Sequence, residues 1–476
     1  MTGKWWTLVG ACFGLFLLML DSTVVSLALP AIRGDVGASA EQLQWMMNAY
    51  LLTIAVLAVT AGRLGDIFGR RRLFLIGMSA FGVGSVVSGL AGEPDVLILG
   101  RIIQGAGAAP VLTLSLALVC NVFPDAEVPK ALGIWAAVSS SALAIGPLVG
   151  GALVELDWRV IFLANLPLVV VGMLIVARFA PESTDPGAAR KLDWPGLATL
   201  SLGLTLVVLA LVQADAWPGP LVIVLVLVGT ASLATFWVVE HRVRAPIVEF
   251  ALFRNGPYFG ASAAAFCLVG AWWAVIYFQP QYLQDVRGHT PLVCGLEVLP
   301  ITLPMVFVSP FSGRLIAKFG PRLLMTFGMA VGTAGMLVLT RVDATTSYAV
   351  LVLGYVLFGI ALGLVYAPMS TAAMAAMPGD KVGIASGVLS MVRLLAGAVA
   401  LAGTGAIFRA LLGSGHSFAG SLAGSTWLPV GLMGLGAILA WGYVRGPAEA
   451  GPDPAVAGAP APVSLHDHAH HRRFHL

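Results

Sequence analysis

Among the charged residues inside long apolar runs of this sequence, Asp21, Arg101 and Glu297 are the candidates for chemistry. A charged side chain in a membrane-spanning segment is costly unless it faces a cavity or a partner, so such residues indicate a functional site. In general, burial raises the pKa of a carboxyl group and a neighbouring cation lowers it. A carboxylate balanced between the two effects can bind a proton on one side of a membrane and release it on the other. Proton coupling or substrate binding is therefore the chemistry expected of Asp21, and a structural ion pair that never titrates is the alternative.

The positions of these residues along their runs indicate how they pair. At about 1.5 Å of helix rise per residue, Asp21 lies roughly 22 Å from the start of its run, and Arg101 lies roughly 9 Å from the opposite surface. We therefore expect Asp21 and Arg101 to form a coupled pair, with Glu297 as a second acidic site. A purely structural anchor for Arg101 and an ordinary interfacial position for Glu297 are the alternatives.

A segment rich in glycine and arginine, GRLGDIFGRRRL, joins two apolar runs at positions 62–73. Asp66 and Arg70 are four residues apart, so the carboxylate can pair with the guanidinium and can also cap a neighbouring helix N-terminus. A similar segment, GRLIAKFGPRLL, occupies positions 313–324, with Ala317 or Lys318 where the aspartate would fall. The two segments form a weak internal repeat, a feature of transporters, and any lock in the second copy should be weaker.

Small residues and a proline cluster late in the fifth apolar run, where the sequence reads GPLVGGAL. Gly146, Gly150 and Gly151 leave room for close helix packing, and Pro147 removes one helix hydrogen bond. Generic packing of small residues is the alternative to a specific role.

Aromatic residues within the runs could line a cavity for flat, lipophilic substrates, although Trp and Tyr also mark membrane interfaces. The candidates are Trp45, Tyr50, Trp135, Trp272, Trp273 and Tyr277.

The composition explains why helices in lipid must position all of these residues. Of 476 residues, 58% are hydrophobic and only 10% are charged, whereas soluble domains are about 25% charged. A span needs about 20 apolar residues and must satisfy its own backbone hydrogen bonds, so helices are expected. Fourteen runs qualify: 5–30, 43–63, 72–91, 95–118, 130–153, 159–179, 194–213, 218–239, 258–282, 291–313, 322–341, 347–369, 383–408 and 421–444.

The basic residues predict the orientation. Alternating the loops between the two sides places only Arg33, Arg159, Arg287, Arg341 and Arg409 outside. The remaining Lys and Arg residues fall inside, apart from Arg101 and Arg393 within spans. This positive-inside bias predicts that both termini are cytoplasmic.

The repeat and the spans together predict the domain organisation. Residues 1–180 form an N-terminal six-helix bundle, and residues 258–445 form a C-terminal one. Two inserted transmembrane helices with their linkers occupy 181–257, and 446–476 form a disordered cytoplasmic tail. The fold class is therefore an all-α polytopic membrane protein.

Several strings taken together resemble the major facilitator superfamily, in particular its fourteen-helix drug:proton antiporter branch. They are LDSTVVSLALPAI in the first run, GRLGDIFGRRR, RIIQGAGAAP around Arg101, GPLVGGAL, DWRVIFLANLP and LFRN. The resemblance implies the major facilitator fold, alternating access and proton-driven export. It also implies that Gly62, Asp66, Gly69 and Arg70 gate the inner ends of the two halves, and that the glycines of the fifth run serve antiport.

The function expected is export of amphiphilic drug-like or antibiotic compounds in exchange for protons. Uptake or symport of a metabolite on the same fold, and a non-transporting membrane sensor, are the alternatives. A phosphate-binding G-x-x-x-x-G-K-[ST] loop does not occur, and neither does a nucleophile constellation, so neither ATP hydrolysis nor another enzymatic activity is expected. The partners expected are the substrate, protons and the lipid bilayer, with no nucleic acid, and the chain should be a monomer.

Arginine far outnumbers lysine, and alanine, glycine and valine are abundant, which favours a GC-rich bacterial genome and a bacterial plasma membrane. Such an origin leaves both a broad multidrug pump and a narrow exporter of a self-made antibiotic open. The four cysteines have no paired spacing and the tail HDHAHHRRFHL follows a flexible stretch, so no metal or cofactor is expected.

Overall fold

A computed structural model describes residues 3–124, 127–184, 193–214, 216–243, 246–378 and 381–444. The tail 446–476 and the basic residues Arg190, Lys191, Arg244 and Arg445 lie outside these ranges. The described residues form helices joined by short connections, without strands. The helical membrane architecture predicted from the composition is thereby confirmed.

The helices are labelled α1 to α14 in chain order. The first eight are α1 (Gly3–Val36), α2 (Ala40–Phe68), α3 (Arg70–Gly89), α4 (Pro94–Val122), α5 (Val128–Leu156), α6 (Val160–Phe179), α7 (Trp194–Val212) and α8 (Gly219–Glu240). The next three are α9 (Gly256–Val286), α10 (Pro291–Glu297 and 299–319) and α11 (321–339). The last three are α12 (Tyr348–Ala375), α13 (Val382–Gly413) and α14 (Phe418–Tyr443).

Thirteen helices in the described ranges are long and apolar enough to cross a membrane, and the count is 14 if a bent pair in α2 is one span. That pair, Ala40–Ala58 and Thr60–Phe68, meets at 49°. The helices extend past several predicted limits. For example, α1 continues through Pro30 to Val36, and α13 reaches Gly413. Arg409, predicted to lie in an outer loop, is therefore a buried residue of α13.

The two similar loop segments share a backbone feature. Gly69 precedes α3 with φ 113°, and Gly320 separates α10 from α11 with φ 76°. Residues with a side chain rarely adopt positive φ, so glycine permits the sharp reversal between helices at both places. The repeat predicted from the sequence thus has the same turn at the same position.

The helices pack in two groups that contact each other directly, with a further pair of helices beside them. Helices α1 to α6 contact one another, α9 to α14 contact one another, and α7 packs along α8. The inserted α7 also contacts α2 and α13, one helix from each group. The division at 180/181, 257/258 and 445/446 remains a proposal.

Hydrogen bonds join the two groups at the end opposite the α2–α3 loop. The Gln44 amide donates to the Leu401 carbonyl at 2.7 Å, and the Gln284 amide donates to the Leu27 carbonyl at 2.9 Å. Arg409 donates to Gln44 and, at 2.9 Å, to the carbonyl of Leu211 in α7. This end of the molecule, called the gate end below, is therefore closed.

Candidate functional site

Asp21 and Arg101 form an ion pair in the interior of the first group of helices. The Arg101 Nη1 atom lies 2.6 Å from Asp21 Oδ2, and the two side chains are 0% exposed for the arginine and 1% for the aspartate. The chain brings them together because α1 and α4 cross at the depth that the helix rise predicted. A pair so fully removed from water is expensive to form and costly to break by neutralising one partner.

Two amides complete the hydrogen bonding of the carboxylate. Asn165 of α6 donates to Asp21 Oδ1 at 3.2 Å, and Gln104 of α4 lies 3.4 Å from the same oxygen. Both amides also donate to the Ser85 hydroxyl, at 3.3 and 2.8 Å. Gln104 in turn accepts from Arg101 at 2.8 Å. The charged form of Asp21 is therefore held by three donors from two helices.

Close approach of α3 and α4 makes room for this network. A side chain at Gly84 would place its Cβ 2.6 Å from the backbone nitrogen of Gln104 and 2.7 Å from the Gly100 carbonyl oxygen. Glycine therefore lets the two backbones touch. The contact fixes the height of Arg101 and Gln104 against Ser85.

Arg101 also connects the buried pair with the neighbouring helix α2. Its guanidinium lies 4.1 Å from the centre of the Tyr50 ring, and its Nε donates to the Met46 carbonyl at 3.1 Å. The Nη2 atom is buried without a hydrogen-bond partner among the described residues. Tyr50 thus lies between the ion pair and the centre of the molecule.

A cavity lies on the other side of Tyr50, with about 930 Å³ of empty space when the part open to solvent is included. Helices from both groups line it, and its surface is mostly apolar. Its aromatic lining comprises Tyr50, Trp272, Trp273 and Tyr366. Its polar and charged lining comprises Ser22, Ser390 and Arg393.

Three of the six aromatic candidates do not line this cavity. Trp135 donates to the Ser115 hydroxyl at 3.3 Å and packs in a separate small core. Tyr277 is buried against the Phe278 ring at 4.8 Å between centres, and Trp45 packs against the main core. Helix rotation, which the sequence does not reveal, turns these rings away.

Arg393 is the charged residue of the cavity wall. Its guanidinium lies 5.0 Å from the centre of the Tyr366 ring and donates to the Ser370 hydroxyl. Its Nε is buried without a partner, and no carboxylate of the described chain lies within ion-pair distance. The sequence marked Arg393 only as a basic residue within a span.

Glu297 lies apart from the Asp21 network. Its carboxylate is 2.6 Å from His289 Nδ1, and Tyr348 donates to its backbone carbonyl at 3.1 Å. Glu297 lies near the start of α10, His289 lies in the connection before it, and Tyr348 begins α12, all at the gate end. Its role as a second acidic site therefore stays a prediction.

The α2–α3 loop contains the expected pair and an unexpected cap. Arg70 Nε donates to Asp66 Oδ1 at 2.8 Å. Glu182 caps α3, since it accepts hydrogen bonds from the backbone N–H groups of Arg71 and Arg72, at 3.0 and 3.1 Å. Glu182 follows α6, far along the chain, so no local pattern could identify it.

The small residues of α5 contact α1 on one side and α10 on the other. The Cβ position of Gly146 meets Thr23, and that of Gly150 lies 3.0 Å from the Val24 Cα. Gly151 faces the Pro291 carbonyl, and Gly295 faces the Pro147 carbonyl. The GPLVGGAL segment is therefore part of the contact that closes the gate end.

Ion pairs occur at the same end. Arg33 Nη1 lies 2.8 Å from Asp285 Oδ2, which joins α1 to α9 across the two groups. Arg159 lies 2.7 Å from Asp35 within the first group, and the Trp158 indole donates to the same carboxylate at 3.1 Å. Charged groups therefore reinforce the backbone contacts of the closed gate end.

Sequence reasoning missed Ser85, Gln104, Asn165 and Tyr366. Gln104 falls one helical turn after Arg101, a spacing that places two side chains on one face. That spacing is the signal that could have found it. The others are single polar or aromatic residues in apolar runs, and only the packing of the helices brings them to the site.

Comparison with known proteins places this geometry among transporters. A model described as Major Facilitator Superfamily matches residues 11–401. Multidrug resistance protein Stp of Mycobacterium tuberculosis is 35% identical over 410 residues, which cover 85% of this chain and 76% of that protein. Puromycin resistance protein pur8 of Streptomyces alboniger is 33% identical over 470 residues, covering 94% and 92%.

Among solved structures, a D-xylose-proton symporter superposes with a TM-score of 0.68 at 16% identity. The match covers 94% of this chain and 98% of that chain. An auto-inhibited POT family peptide transporter gives a TM-score of 0.67 at 15% identity, covering 93% and 96%. At such identities these likenesses establish the fold alone.

Proposed function

This chain belongs to the Major Facilitator Superfamily, and on that basis we propose that it is a proton-coupled antiporter exporting amphiphilic drug-like or antibiotic compounds. The observation that carries the proposal is the buried Asp21–Arg101 pair, separated from the central cavity by Tyr50 and Ser22. The resistance and export proteins to which the chain is similar, including the tetracenomycin C resistance and export protein of Streptomyces glaucescens, support export.

Proton binding at Asp21 would change the balance of charge in the site. Protonation removes the carboxylate that compensates Arg101, and a buried cation without a counter-charge is strongly unfavourable. The guanidinium must then rearrange, and its contacts to Tyr50 and the Met46 carbonyl connect that movement to α2 and the cavity. Proton binding and substrate release are coupled through these shared residues.

Alternating access requires the closed gate end to open in a second conformation. The contacts of Gly146, Pro147, Gly150 and Gly151 with α1 and α10 close it in this one. The second gating element lies at the opposite end and consists of Gly62, Asp66, Gly69 and Arg70. Glu182, in the chain after α6, accepts a hydrogen bond from the backbone directly after Arg70. Export proceeds by closing one end while the other opens.

The proposed location is the plasma membrane of a bacterium, with both termini in the cytoplasm. Basic residues around the α2–α3 loop favour an inside position for that end, since cytoplasmic loops carry an excess of Lys and Arg. The gate end then faces outward. We further propose that the two six-helix halves, 1–180 and 258–445, work as a monomer in lipid and that the insert 181–257 accompanies them.

Two other functions have to be distinguished from export. A metabolite symporter would move its substrate in the same direction as the proton, and a non-transporting sensor would bind without moving it. Among exporters, a broad multidrug pump and a narrow antibiotic exporter both remain open, because relatives of each description occur. A toxicity panel in a host without its own pumps reveals the substrates.

Everted vesicles test the proposal directly. With an imposed proton gradient, adding an exported substrate should dissipate the gradient in the wild type and in Glu93→Gln, which changes an exposed acid outside the site. Asp21→Asn should bind substrate but cause no dissipation, and Asp21→Glu should retain part of it. Normal proton-driven export by Asp21→Asn would refute the coupling role. Movement of protons in the same direction as the substrate would identify a symporter.

A further inference from the structure

The charge of the cavity points to a class of substrate. We propose that the cavity selects planar aromatic compounds carrying a negative charge, a carboxylate or a phenolate, and that Arg393 binds that charge. The inference rests on the proposed export function and specifies what that site accepts.

A ligand in the cavity meets one uncompensated charge in the described part of the chain. Asp21 and Arg101 compensate each other and are almost fully buried behind Ser22 and Tyr50. Among the described residues lining the cavity, Arg393 is the one with a full charge. The wall therefore carries a positive charge, with no acidic residue in this described lining to attract a cation.

Arg393 has more hydrogen-bond donors than its contacts in the described structure use. A guanidinium has five N–H donors, arranged as a planar fork that matches a carboxylate. In the described structure one nitrogen donates to the Ser370 hydroxyl, and the buried Nε has no partner. Stacking on Tyr366 holds the plane in place but accepts no N–H group. Donors therefore remain for a ligand.

The cavity surface next to this cation is aromatic. Trp273 packs against Gly397, one turn after Arg393 on α13, and its Nε1 lies 2.8 Å from the position of a Cβ there. Residues four apart share one helix face, so an indole and a guanidinium lie side by side on the cavity wall. With Tyr50, Tyr366 and Trp272, they form an aromatic surface with one cationic edge.

The apolar surroundings of Arg393 favour an anionic ligand. A cation facing a mostly apolar space of low dielectric lacks the hydration it has in water, so an anionic ligand relieves a cost that a neutral or cationic ligand does not. Hydrogen bonds between charged groups are also stronger than hydrogen bonds between neutral groups. The difference corresponds to about tenfold or more in the affinity of an anionic ligand over a neutral one.

The test uses three probes of the same ring system: 2-naphthoate, 2-naphthamide and protonated 2-naphthylmethylamine. Binding to the purified full chain in nanodiscs is followed by quenching of tryptophan fluorescence. The wild type should bind the carboxylate about tenfold or more tightly than the amide, and the ammonium compound most weakly. Equal affinities for the three, or preference for the ammonium, would overturn the proposal without any variant.

Variants then locate the selectivity. Arg393→Gln should bring the carboxylate down to the affinity of the amide while leaving the amide nearly unchanged. Arg393→Lys should retain part of the preference, and Arg341→Gln, in an exposed loop, should behave as wild type. An equal loss for all three probes in Arg393→Gln would show a structural anchor on Ser370 instead.

A separate measurement keeps this proposal distinct from the function on which it rests. Proton-gradient dissipation by ethidium, a cationic probe, can be compared with dissipation by 2-naphthoate in the same everted vesicles. Dissipation by ethidium but not by the naphthoate would contradict anion selection and leave proton-coupled export intact. Uptake of the naphthoate with protons would contradict the export function itself while agreeing with the anion site.

Discussion

Gly151 of α5 and Pro291 of α10 are in backbone contact across the two halves of the molecule. A Cβ at Gly151 would lie 2.5 Å from the Pro291 carbonyl oxygen and 2.9 Å from the Leu292 Cα. Both of these are backbone atoms that cannot turn aside as a flexible side chain can. The closed gate end therefore depends on a residue without a side chain at this position.

The Gly151→Ala variant should shift the protein toward a conformation open at the gate end. The added methyl group overlaps the α10 backbone only when the gate is closed, so the closed state alone is destabilised. Spin labels at Gly92→Cys and Ala344→Cys, in a chain without its native cysteines, should report a larger population of long distances. The control Gly133→Ala, on the same helix with open space around it, should leave the distribution unchanged.

The Arg33–Asp285 ion pair should contribute modestly to the same closure. Its side chains are 37% and 26% exposed, and pairs of this kind are worth about 0.2–1 kcal/mol. Arg33→Gln should therefore raise the open-to-closed ratio by roughly fivefold at most, and Arg33→Asp should raise it further because the new carboxylate repels Asp285; both are measured with the same spin labels. The double variant Arg33→Asp/Asp285→Arg should restore most of the closed population. If the double variant is as open as the summed effects of the two single variants predict, the two side chains do not interact directly.

Replacing Asn165 by leucine should change the pH dependence of export. The variant removes one of the three donors to the Asp21 carboxylate, and leucine is larger than asparagine but branches at the same carbon. Loss of a hydrogen bond to a charged group costs about 1.5–3 kcal/mol, so the pH at which export is half-maximal should rise. Asn48→Leu is the matched control, because Asn48 is buried and its amide atoms have no partner in the described structure. Equal pH profiles for the wild type and Asn165→Leu would contradict a role for this amide.

Gly320 and Gly313 of the second loop segment should respond to alanine in opposite directions. Gly320 has φ 76° and ψ 160°, a region nearly restricted to glycine, so Gly320→Ala should lower the free energy of unfolding by about 1–3 kcal/mol. Gly313 is helical with open space around it, so Gly313→Ala should raise it by about 0.5–1 kcal/mol. The apparent melting temperature in detergent measures both. If both variants melt above the wild type, the positive φ of Gly320 does not require glycine at this turn.

Some of the site followed from the sequence because the relevant quantity is one-dimensional. Helix rise converts sequence separation into depth, so the sequence alone is enough to place Asp21 and Arg101 at one level. The repeated G-R-L and F-G positions likewise predicted equivalent loops, and Gly69 and Gly320 share the turn that such loops need. Glu297 met the same depth criterion, yet it lies with His289 away from the network.

Rotation about the helix axis is the information that depth does not contain. Trp272 and Trp273 line the cavity, whereas Trp135 and Tyr277, equally apolar in context, pack elsewhere. Asn165 reaches Asp21 from another helix far along the chain. Glu182 likewise reaches the N-terminus of α3 from far along the chain.

The sequence by itself determined the solvent, the helical form and the family of this protein. Its few charged residues cannot cover a water-facing surface, and backbone groups in lipid must bond within helices. The tertiary structure decided which polar side chains meet, which aromatic rings face the cavity, and that Arg393 faces it without a carboxylate partner among the described residues. Those outcomes depend on helix rotation and on the close backbone contacts that glycines allow, and neither is written in the pattern of apolar residues.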